Sequence, residues 1–172
     1  MLKTVVRLYD GLVIVLASIA GAILAVSFVV IIYDVVMRNF LFTPPAWSVP
    51  LIEYGLLYMT MLAAPWMVRT RGHVLVEAVR MQVSSGTRRL MASTVYVFCI
   101  AISLVLAGYV GELLLDAIAS GETDVRAIEI SRAWLFTPML VAFVLMAIEF
   151  ARFLFGHGSL YEASVEKPSD RA

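Results

Sequence analysis

Residues 11–33 run for 23 positions without a single charged side chain. A helix that crosses a bilayer needs ~20 predominantly apolar residues, so a stretch of this kind has one natural environment. Similar apolar runs recur later in the chain, and the charges are confined to the punctuation between them. Hydrophobic residues make up 62% of the sequence and charged ones only 15%, which is too apolar for a soluble domain of 172 residues. Four spans are predicted, at residues 11–36, 48–68, 90–112 and 133–155. The fold class expected is therefore an all-α integral membrane protein. Its membrane domain covers residues 1–156, and a polar, disordered cytoplasmic tail covers 157–172.

The N-terminal lead carries Lys3 and Arg7, which would suit the basic end of a signal peptide. The apolar core of a signal peptide is only ~7–15 residues, so the longer run here is read as a retained first span. Within it Ala17, Gly21 and Ala25 make a small-residue face that admits a neighbouring helix. Ser103, Ala107 and Gly111 make another in the third span. Asp34 and Arg38 stand four apart and can pair, as can Glu149 and Arg152, three apart near the end of the fourth span. Trp47 and Trp134 open the second and fourth spans, where an indole favours the headgroup level.

Between the second and third spans lies a basic corner containing Arg69, Arg71, Arg80, Arg88 and Arg89. Inside it His73, Glu77, Arg80 and Ser84 fall on one stripe of a helix whose other faces are apolar. A helix over 73–84 reaches about 17 Å, too short to cross the membrane. It is expected either to lie in the interface or to be roofed by a partner. Counting Lys and Arg only, ten lie at the two termini and this corner and three on the opposite side. That places both termini in the cytoplasm and the acidic loop over residues 112–132 outside.

Sites for chemistry are sparse. A zero formal charge leaves no nucleic-acid footprint, and the single cysteine, Cys99, excludes a disulfide framework. Both histidines, His73 and His157, lie in connecting segments rather than within spans, which disfavours haem. The sequence presents no nucleophile–base set, phosphate loop or metal-spaced cluster, so no enzyme and no cofactor are expected. Glu53, about two turns into the second span, is the acid with alternatives: a hydrogen bond to a neighbouring helix, a subunit contact, or a proton or ion site.

Pro45-Ala46-Trp47, then Glu53, then the run Arg69-Thr70-Arg71-Gly72-His73-Val74-Leu75-Val76-Glu77, resembles the small membrane subunit of tripartite ATP-independent periplasmic (TRAP) transporters, the DctQ-like family. Trp134 and Pro138 occupy the positions that open the last span in that family. The sequence departs from the pattern at Leu62-Ala63-Ala64, at Glu77 and at Leu140.

The resemblance implies a bacterial inner-membrane protein that braces a large multi-span permease subunit. That partner would carry the Na⁺ and substrate sites, and a periplasmic binding protein would deliver an organic acid: a dicarboxylate, keto acid or sugar acid. It also implies subunit contacts through Val76, Val79 and the small faces of spans one and three. Arg69, Arg71 and His73, the last paired with Glu77, would anchor the corner. Trp47 and Trp134 would set depth against membrane lipid. The rival readings are a proton-coupled homodimeric transporter working through Glu53, and an accessory structural subunit of another membrane complex.

Overall fold

The computed structural model describes residues 2–40, 45–70, 85–125 and 129–155. The expected surface helix at 73–84 and the polar tail lie outside the described residues. Four long helices are present: α1 (Leu2–Phe40), α2 (Ser48–Arg69), α3 (Ser85–Ser120) and α4 (Arg132–Leu154). All four are long and apolar enough to cross a membrane, and the chain is a multi-pass membrane protein.

One expectation needs correction, and two helices are longer than the spans they contain. The first and third helices continue beyond the spans expected at 11–36 and 90–112. At 39 and 36 residues they extend about 58 and 54 Å, well beyond a ~30 Å hydrocarbon core. The acidic segment after residue 112 is not a loop. It continues α3 to Ser120, where Gly121 turns the chain with a φ of +62°. A short antiparallel hairpin follows, β1 (Thr123–Val125) on β2 (Glu129–Ser131), with Asp124 opposite Ile130. The described residues therefore form four helices and one small hairpin.

The hairpin feeds directly into α4. The Arg132 amide donates to the Glu122 carbonyl at 3.1 Å, and the Arg132 guanidinium pairs with the Glu122 carboxylate. Ser131 caps α4, its hydroxyl accepting from the Ala133 amide at 3.4 Å.

The principal packing order is α1–α2–α4–α3. Along α1, the positions turned inward run from Val6 to Met37 in alternating steps of three and four. Val13, Ala20, Ser27 and Asp34 are the buried ones among them, at a seven-residue repeat. That is the seam of a left-handed helix pair, and it lies on α2. The helices come close at Gly55, where an added Cβ would stand 2.8 Å from the Ser27 hydroxyl. The Ala17–Gly21–Ala25 face of α1 is different, with open space beside Gly21. The small face of the third span is used within the chain: Ser103 and Ala107 are buried, and Gly111 meets Leu140 of α4.

A core forms where three helices converge, with Val68 (α2), Tyr96 (α3) and Phe150 (α4) buried together. The Tyr96 and Phe153 rings stack at 6.1 Å, and Cys99 lies half-buried against this group.

Candidate functional site

The polar groups of the bundle gather at two levels. At the end that carries the N-terminus, Asp10 of α1, Arg69 of α2, and Glu149 and Arg152 of α4 form one network. Arg69 pairs with Asp10 through its guanidinium and stands 3.7 Å from Glu149. Arg152 lies 3.0 Å from Asp10 and 3.4 Å from Glu149. Both guanidiniums also stand over the Tyr9 ring, at 5.9 and 5.2 Å, and the Tyr9 hydroxyl donates to the Leu145 carbonyl at 3.3 Å.

Glu149 is the innermost member, with only 2% of its side chain exposed. A carboxylate there would be costly alone; two arginines, which keep their charge, offset that cost. With both acids ionised, the four charges sum to zero. The network thus ties three helices and carries no net charge of its own.

The second level lies at the hairpin end. The Ser48 hydroxyl donates to Asp34 at 2.5 Å and lies 2.8 Å from the Pro45 carbonyl, while Arg38 reaches Asp34 at 2.6 Å. Tyr33 stacks on Trp47 at 6.0 Å. The Tyr54 hydroxyl donates to Asp124 of β1 at 2.9 Å, fastening the hairpin to α2.

A further contact compensates for a proline. Pro138 has no amide hydrogen for the Trp134 carbonyl, one turn back in α4. The Tyr58 hydroxyl from α2 donates to that carbonyl at 2.7 Å instead. Tyr58→Phe is expected to cost about 1 kcal/mol. The cost should shrink in a Pro138→Ala background, where the helix restores its own donor; equal losses in both backgrounds, in thermal unfolding in detergent, would count against this account.

The spacing of the levels matches a bilayer. Asp10 to Asp34 spans about 36 Å of helix and Ser48 to Arg69 about 32 Å, against a ~30 Å hydrocarbon core.

The predicted residues divide accordingly. The Asp34–Arg38 and Glu149–Arg152 pairs are present. Trp47 and Trp134 lie at the hairpin level, both exposed. Glu53 is an exposed residue of α2, sixteen positions from Arg69 and so about 24 Å from the four-charge network. Arg69 is engaged inside the bundle, a role its place in a basic corner did not suggest. Arg71, His73, Val76, Glu77 and Val79 lie outside the described residues. Asp10 and Tyr9 were missed as partners; their one sequence signal is that Asp10 and Arg69 close adjacent spans on the same side.

The family model for the DctQ component of tripartite ATP-independent periplasmic transporters matches residues 27–157, from the middle of α1 to the end of α4. The chain belongs to the DctQ family. Neither a curated protein nor a solved structure matches it. DctQ proteins are components of a transporter rather than a family of enzymes, so the two polar levels described above belong to a transport component. In this DctQ chain the described acids Asp10, Asp34 and Glu149 are all engaged within the bundle.

Proposed function

We propose that this small TRAP component braces a large permease subunit in the bacterial inner membrane. In this reading the large subunit carries organic acid (a dicarboxylate, keto acid or sugar acid) coupled to Na⁺, which is bound there and not on this chain. A periplasmic protein delivers the substrate. Both termini are cytoplasmic, and the hairpin end is periplasmic. The observation that carries the bracing role is the closed four-charge network: its acids and arginines neutralise one another inside the bundle. Charges consumed in holding helices together suit a fixed support better than a site that binds and releases ions.

The contacts with the large subunit are assigned to the apolar face around Val76 and Val79 and to the open small face of α1. Arg71, His73 and Glu77 are assigned to the corner beside Arg69. Trp47, Glu53 and Trp134 are assigned to the outer level, against lipid or partner.

Mild-detergent extraction from the native membrane tests the proposal. A stoichiometric permease of about ten or more spans is expected to remain bound, and Val76→Ser with Val79→Ser should release it. Recovery as a homo-oligomer that transports on its own, with activity lost in Glu53→Gln, would overturn the bracing role. Uptake by the reconstituted complex should need a Na⁺ gradient and the binding protein; uptake without either removes that part of the mechanism.

A further inference from the structure

α3 carries two seams, and the bundle uses one of them. Tyr96, Ser103, Val110 and Ala117 are buried at a seven-residue repeat, and this side of the helix packs chiefly on α4. On the opposite side Phe98, Ile102, Val105, Tyr109, Glu112 and Asp116 follow one another in steps of four and three, and all six are exposed. That is the spacing of a helix-pairing seam, here about 27 Å long. We propose that the open seam receives a membrane helix of the large permease subunit, and that this helix carries a lysine or arginine opposite Glu112. The proposal rests on the bracing role and gives it a partner chemistry. The seam lies at the other margin of the packing order from the α1 face, so the two contacts are tested separately.

Charge and depth say what covers this seam. Elsewhere the exposed surface of α3 from Val97 to Leu115 carries no charge, so the acids of this stretch and the turn above it lie in the seam itself. Gly111 meets Leu140, two turns into α4 and about 9 Å below Trp134. Glu112, the next residue of α3, therefore stands at the edge of the hydrocarbon. α3 runs toward the hairpin, and side chains on a helix lean toward its N-terminus, so the Glu112 side chain is inclined into the membrane rather than out to water. Asp116 stands one turn above it, and like charges four apart on a helix repel. Neither carboxylate has an ion pair among the described residues. Acyl chains offer such a group nothing, whereas ionisable side chains at membrane depth face protein and pair there. A lysine or arginine on a neighbouring helix neutralises Glu112 and relieves its repulsion from Asp116. One polar pair in an otherwise apolar seam also fixes the register of the two helices.

The test uses native membranes holding the full chain with its partners, and a photoactivatable benzophenone amino acid in place of Tyr109. Irradiation before extraction should join this position to the permease, and mass spectrometry should place the join within about two turns of a lysine or arginine. Glu112→Gln, which leaves no hole in the bundle because the side chain is exposed, should lower the yield of that product several-fold. Glu112→Lys should abolish it, and reversing the mapped basic residue to glutamate should restore it. That restoration separates a lost charge pair from a misfolded chain. A join to lipid alone, or to a second copy of this chain, while the permease still co-purifies, would overturn the seam as a permease contact and leave the bracing role standing. A permease join that Glu112→Lys does not diminish would overturn the charge pairing. Absence of the permease from extracts of the unaltered protein would remove the bracing role, and this proposal with it.

Discussion

Replacing Glu149 with glutamine is expected to destabilise the detergent-solubilised protein by about 3–5 kcal/mol, the usual cost of breaking a buried ion pair from one side. The effect comes from what remains. Asp10 alone would face Arg69 and Arg152, leaving one positive charge without a counterion where Glu149 was almost fully buried. Neutrality gives the prediction its sharp form. Arg152→Gln added to Glu149→Gln leaves the Arg69–Asp10 pair balanced, so the double variant should be more stable than Glu149→Gln alone. Thermal loss of monodispersity, measured for both singles and the double, reads the comparison. Additive losses would mean that charge balance is not what the network provides.

The second large effect is steric. Gly55→Val places a Cβ where the Ser27 hydroxyl stands at 2.8 Å, with the Ile23 side chain 3.6 Å away. The two helices must separate or Ser27 must turn out of the seam, at about 1–3 kcal/mol. Ser27→Gly should recover part of that loss, because it vacates the atom nearest the new methyl groups. Failure of Ser27→Gly to recover stability in the same thermal assay would show that backbone separation, not this hydroxyl, sets the cost.

What was legible in the sequence follows from the range of the interactions. Hydropathy marked all four spans because bilayer crossing is a property of a continuous stretch. The Asp34–Arg38 and Glu149–Arg152 pairs were legible because helical geometry alone brings i,i+4 and i,i+3 side chains together. Asp10 with Arg69 was not, since these residues meet only after α1 has packed beside α2. The end of α3 was misplaced because Glu112 and Asp116 look like loop residues when charge is taken as the edge of the membrane. A helix that leaves the hydrocarbon can continue in water, and Leu113, Leu114, Leu115 and Ile118 carry it on until Gly121 breaks it. The small face of span three carried a sound packing signal, but small residues do not say whether the approaching helix belongs to the same chain; here it is α4.

The four-charge network also has a temporal side. Asp10 leaves the ribosome 59 residues ahead of Arg69 and 142 ahead of Arg152. At ~5–20 residues per second, its first counterion arrives about 3–12 s later and its second about 7–28 s later. During biogenesis the first helix can be fastened to the second well before the fourth is made. Glu149 and Arg152 then enter together, as a pair already neutral, onto a site that is itself neutral. Within this network no stage of insertion requires an unbalanced charge to be buried, so for these four residues the order of the spans along the chain is a safe order of assembly.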